Sequence, residues 1–192
     1  MKSRPGLTVS AITACVLLIT GCGTSDENAG PGDKKTETAM NMQEAAEQAD
    51  SMLDATFSAI KPEIEWAHGP TTAGSCDLSR RRAVMTVISE ERRGSFLGVV
   101  ERSWRSRGYH ITNVNKSKEF PAVFAKTSDG FGIILTIGGG GQAFFEVATP
   151  CVRESKVADP TSKPKGPTYE GIYPLPRPNV RSAFWSSSRP PQ

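Results

Sequence analysis

The chain has 192 residues, a formal charge of +3 and 37% hydrophobic residues. That composition excludes a multi-span membrane protein and a chain without a core, and leaves room for one domain with tails. With glycine counted and tyrosine left out, the apolar share is about 45%, the low edge of the globular range, so part of the chain lies outside any core.

The first 21 residues read as a leader. Lys2 and Arg4 precede an apolar run from Leu7 to Thr20. This run is too short for the ~20 residues of a membrane-spanning helix and has the flanks of a secretory signal. It ends in Leu18, Ile19, Thr20, Gly21 and Cys22, with an aliphatic residue three before the cysteine and a small one immediately before it. That motif resembles the lipobox of bacterial lipoproteins, with Ile19 where Leu is commoner. The resemblance implies that Cys22 is lipidated and becomes the mature N-terminus, which places the protein on the extracytoplasmic face of the cell membrane, anchored but not spanning. Two acyl chains hold stably where one holds marginally.

Residues 23–39 are small and polar with no aliphatic or aromatic anchor, so with the lipidated Cys22 they form a flexible tether over 22–39. From residue 40 the pattern changes. Met42, Ala45, Ala49, Met52, Leu53, Phe57 and Ile60 recur at helical spacing, with Glu44, Glu47, Asp50 and Asp54 assigned to the outer side, and Pro62 ends the run. A short strand over 63–68 and a β-rich apolar run over 83–88 follow. Ser89 with Glu90 and Glu91 starts a second helix, which buries Phe96, Val99, Val100 and Trp104 and stops at Gly108.

Four strands are predicted over 109–114, 122–127, 131–137 and 142–149. Asp129 and Gly130 supply one turn, and Gly138 to Gly141 another. The four glycines lack the following helix and the Lys of a phosphate loop and read as a hairpin connection. The fold class is therefore α+β: two helices on one face of a mainly antiparallel sheet of about five strands. The domain is placed at 40–152. Residues 153–192 form a Pro-rich tail, read as disordered, with Tyr173 and Leu175 as candidates for docking back onto the sheet.

Cysteine usage follows from the lipobox resemblance. Cys15 leaves with the leader and Cys22 carries lipid. Cys76 and Cys151 remain, an even pair in an oxidising context, expected as one structural disulfide.

Little else carries chemistry. Glu63 and Glu65 alternate and could pair as hydrolytic acids, or form a solvated edge. His68 and His110 have no metal-ligand spacing to a partner, no Ser elbow is present, and neither a metal nor a cofactor is called for. Eight arginines, Arg80, Arg81, Arg82, Arg92, Arg93, Arg102, Arg105 and Arg107, fall within 80–107. They read either as contacts to an anionic surface, such as a lipid or an envelope polymer, or as a solvated helix face. Nucleic acid is not an expected partner.

The layout of lipobox, tether and small disulfide-linked domain resembles secreted lipoproteins of the actinobacterial type. The leading expectation is a membrane-anchored, non-enzymatic binding or interaction module whose ligand the sequence does not identify, with an anionic envelope polymer or another envelope protein as candidate partners. The competing expectation is an envelope hydrolase built on Glu63 and Glu65.

Overall fold

The computed structural model describes residues 39–138, 141–166 and 177–189. The leader, Cys22, the tether through residue 38 and the tail residues Tyr173 and Leu175 lie outside them. Helix α1, Met42–Ala59, starts on a reciprocal capping box. The Asn41 side chain accepts from the Glu44 N–H at 3.0 Å, and the Glu44 carboxylate accepts from the Asn41 N–H at 2.8 Å. Helix α2, Glu90–Ser106, begins after Ser89 with Glu90 and Glu91 in its first turn, where the helix dipole favours acids.

Seven strands form a single sheet: β1 Trp66–His68, β2 Thr72–Ala73, β3 Leu78–Val84, β4 His110–Asn115, β5 Ala122–Lys126, β6 Gly132–Ile137 and β7 Ala143–Ala148. Their order is β1-β3-β7-β6-β5-β4, all antiparallel, with β2 beside β1 on the outer edge of β3. The register slips by one residue between β1 and β2, across Gly69 and Pro70. Proline has no N–H to give the ladder, so the edge strand breaks there.

The period of two sorts the faces. Val123, Ala125, Ile133, Leu135, Ala143, Phe145 and Val147 are buried in one cluster with Leu53, Phe57, Phe96, Val100 and Trp104 of the helices. Phe124, Ile134, Phe144 and Glu146 face the other way and are half-buried. The indole N–H of Trp104 donates to the Thr56 hydroxyl, which donates to the Met52 carbonyl, so the polar atoms at the helix crossing are satisfied. Two helices on one face of an antiparallel sheet is the predicted class.

The glycine run between β6 and β7 is a strand connection. Gly141 has φ 77°, and a Cβ there would lie 2.3 Å from the Ile88 carbonyl oxygen, so this position accepts only glycine. Residues 139–140 of that run lie outside the described residues. Cys76, between β2 and β3, is bonded to Cys151, just past β7. The long-range disulfide is present.

Three expectations need correcting. The 83–88 run is not a strand of its own: β3 ends at Val84, and Met85 to Ile88 leave the sheet, with the Val87 N–H donating to the Val180 carbonyl. The arginine triplet occupies the strand instead. Second, folded structure does not stop at residue 152. The Trp66 N–H donates to the Lys165 carbonyl, and the His68 ring meets the Ser162 carbonyl at 2.7 Å, so this segment covers the β1 edge. Beyond it, Trp185 is 1% exposed and packs edge-on against Phe96. A proline-rich composition favours extended chain, but a single Trp supplies enough apolar area to dock it. Third, Asp50 is not on the solvent side of α1 but turns toward β3.

Candidate functional site

Three arginines in a row fit a central strand because the strand alternates. Arg81 points away from the helices and pairs across the ladder with Glu146 at 2.7 Å, which raises its pKa. Arg80 and Arg82 point at α1. Residues i and i+2 of a strand are about 6.7 Å apart, and i and i+4 of a helix about 6 Å. Asp50 and Asp54, four apart on α1, therefore line up with the two arginines: Arg80 Nε lies 3.4 Å from Asp50 and Arg82 Nη1 2.7 Å from Asp54.

Arg80 also donates to Thr71 and to the Ala158 carbonyl, and Arg82 to the Asp50 carbonyl. The Arg82 guanidinium lies 4.0 Å from the centre of the Trp66 ring. Burial moves both members of this ladder toward neutrality. It raises the Asp50 carboxyl above its ordinary value, outweighing the attraction of Arg80 and Arg82, and it lowers Arg82 despite Asp54.

The predicted basic surface accordingly does not assemble. Arg80 and Arg82 are buried inside the fold. Arg92 is 8% exposed and lies beneath the Phe184 ring, 4.4 Å from its centre, and Arg93 donates to the Lys118 carbonyl at 2.9 Å. Arg105 pairs with Glu101, and Arg107 donates to the Ala55 carbonyl. Arg102 is exposed, with its guanidinium beside Gly98. The eight arginines therefore do not share one surface, since Arg80, Arg82 and Arg92 are buried while Arg102, Arg105 and Arg107 stay exposed at the end of α2.

The hydrolytic acids are not brought together either. Glu63 is bridged by Lys61 at 2.9 Å and Lys165 at 2.6 Å, and these hydrogen bonds lower its pKa to about 2. A carboxylate held ionised at that level neither donates a proton near neutral pH nor accepts one readily. Glu65 lies against Gly166, and its backbone N–H donates to the Thr86 hydroxyl. His68 is on β1, edge-on to Trp66 and bonded to the Ser162 carbonyl. His110 is exposed on β4. Among the described residues no three His, Cys, Asp or Glu side chains could hold a metal ion, and no helix is long and apolar enough to cross a membrane.

A separate concavity lies elsewhere, a groove of about 530 Å³ between α2 and the turn after β4. Glu90, Gly94, Leu97, Gly98 and Glu101 line it from the helix at spacings that keep them on one face. Val114, Lys116, Ser117, Lys118 and Pro121 line it from the turn. That wall is shaped by its own hydrogen bonds. Asn115 donates to the Phe120 carbonyl, the Ser117 N–H donates to the Asn115 side chain, and the Phe120 N–H donates to the Ser117 hydroxyl. Phe120 projects beside the groove, 59% exposed.

The glycines make the space. In a helix interior each costs roughly 1 kcal/mol relative to alanine. A Cβ at Gly94 would meet nothing within 4 Å, and one at Gly98 only the mobile Arg102 guanidinium, at 3.1 Å. Neither packing nor backbone geometry calls for glycine at these positions. The sequence signal was available, since two glycines four apart inside a predicted helix are unusual, but it points to a site only once the wall opposite is known.

No family model matches the chain, and neither the curated proteins nor the solved structures include one similar to it.

Proposed function

We propose that the chain is a lipid-anchored lipoprotein of the cell envelope, and that its domain is a non-enzymatic binding module with the α2 groove as its ligand site. One observation carries the second half of this reading: α2 gives up roughly 2 kcal/mol of helix propensity at Gly94 and Gly98 beside a groove that none of the described residues fills. Its volume falls in the few-hundred-Å³ range of small-ligand and peptide-segment sites. Leu97, Val114 and Pro121 provide an apolar floor, while Glu90 and Glu101 on one wall and Lys116 and Lys118 on the other give orientation. The ligand is an envelope polymer or a segment of another envelope protein.

Gly94→Ala and Gly94→Leu separate groove from scaffold. Urea denaturation should find Gly94→Ala more stable by about 0.5–1 kcal/mol, because open space receives the methyl group. With a photo-crosslinker in place of Phe120 on intact cells, the parent should capture an envelope component that the Gly94→Leu form loses. Equal capture by both forms refutes the groove. For the anchor, Cys22→Ala should move the protein from the membrane fraction to the soluble fraction; retention in the membrane fraction refutes lipidation.

A further inference from the structure

A second cavity, of about 240 Å³, lies on the other side of the domain beside β1 and the end of α1. Four cations line it, Lys61, Arg82, Lys163 and Lys165, against two carboxylates, Asp54 and Glu63. Sequence separation hides this cluster, since its lysines come from the end of α1 and from the segment that returns over β1 about a hundred residues later. We propose that this cavity binds a small phosphate-type oxyanion, held from the rim by the lysines and from the floor by the charge of Arg82. The site is independent of the α2 groove.

The charges do not cancel internally. Glu63 is shared by Lys61 and Lys165, and Asp54 is engaged by Arg82 and by the Ser162 hydroxyl at 2.9 Å. Lys163 makes no ion pair among the described residues, so the rim carries a cation without a counter-charge. Arg82 is fully buried, and its Nε has no hydrogen-bond partner. Its guanidinium is walled by Trp66 and Phe57 and ion-paired with Asp54. Four positive and two negative charges leave a surplus of two, the charge of a phosphate dianion. The volume admits one such group with a few waters, each occupying about 30 Å³ in the liquid.

The test uses the full chain carrying Cys22→Ala, so that no lipid anchor contributes, with inorganic phosphate as the probe in calorimetric titration. Phosphate should bind. Lys163→Gln should weaken it about five-fold, the Boltzmann weight of one charge pair in a water-like medium, and Glu63→Gln should tighten it by a similar factor. Both positions are at the surface, and opposite signs cannot come from a general loss of fold. Absence of phosphate binding, or shifts of the same sign, overturns the proposal. Phosphatidylglycerol vesicles distinguish the source: competition with phosphate assigns the anion to a lipid headgroup, and lack of competition assigns it to phosphate free in solution.

Discussion

Trp185→Ala is expected to destabilise the domain by about 3–5 kcal/mol, the range for removing a buried large aromatic side chain. The indole is 1% exposed, stands edge-on to Phe96 with ring centres 5.2 Å apart, and donates from Nε1 to the Pro62 carbonyl at 2.7 Å. Its own carbonyl accepts the Ser89 N–H at the start of α2, and the neighbouring Ser186 hydroxyl donates to the Val87 carbonyl. Alanine would leave a cavity between α2 and the 62–66 segment and an unpaired carbonyl at Pro62. Ending the chain at residue 176 should cost at least as much. Urea denaturation checks both. A loss below 1 kcal/mol would mean that the last described segment only rests on the surface.

Opening the disulfide is the second large effect. Cys76 and Cys151 are separated by 75 residues, and in the chain-entropy model a loop of that length contributes about 4 kcal/mol by restricting the unfolded ensemble. The Cys76→Ala/Cys151→Ala double variant should therefore melt roughly 10–20 °C lower for a domain of this size. The parent treated with reductant should show the same drop. A change in the parent without one in the double variant would place the effect in some other reducible group.

Much of the architecture was legible because local chemistry and global packing agree. The spacing from Met42 to Ile60 and the stop at Pro62 define α1 without tertiary information. The Gly130 and Gly141 turns, both with positive φ, delimit the three strands around them. Cysteine usage pointed to the disulfide once the lipobox resemblance had accounted for Cys15 and Cys22.

What escaped was set by partners distant in sequence. Arg80 and Arg82 read as surface residues until Asp50 and Asp54 stand opposite them at matching spacing, and nothing local ties 50 to 80. For the same reason the β-rich 83–88 run outcompeted the true strand at 78–84. The Phe184–Trp185 pair in a proline-rich tail was a usable signal, since segments that stay unfolded are poor in aromatics. Neither candidate site could be read from sequence: the groove needs the turn after β4 set opposite Gly94 and Gly98, and the cationic cavity needs residues 163–165 returned to the end of α1.

The described segments 153–166 and 177–189 also bear on timing. Central strand β3 pairs with β7, more than sixty residues later; β1 donates a hydrogen bond from the Trp66 N–H to the Lys165 carbonyl; and the 62–66 segment is closed by Trp185. Within the first half only β1 and β2 pair locally, both with β3, and the remaining partners are distant in sequence, which slows folding. A chain delivered N-terminus first has α1, β3 and α2 available before β5 to β7 cover their apolar faces, and Phe96 gains its Trp185 neighbour later still. Completion of the domain thus waits for the segment around Trp185, and a chain that stops before it lacks its closing piece.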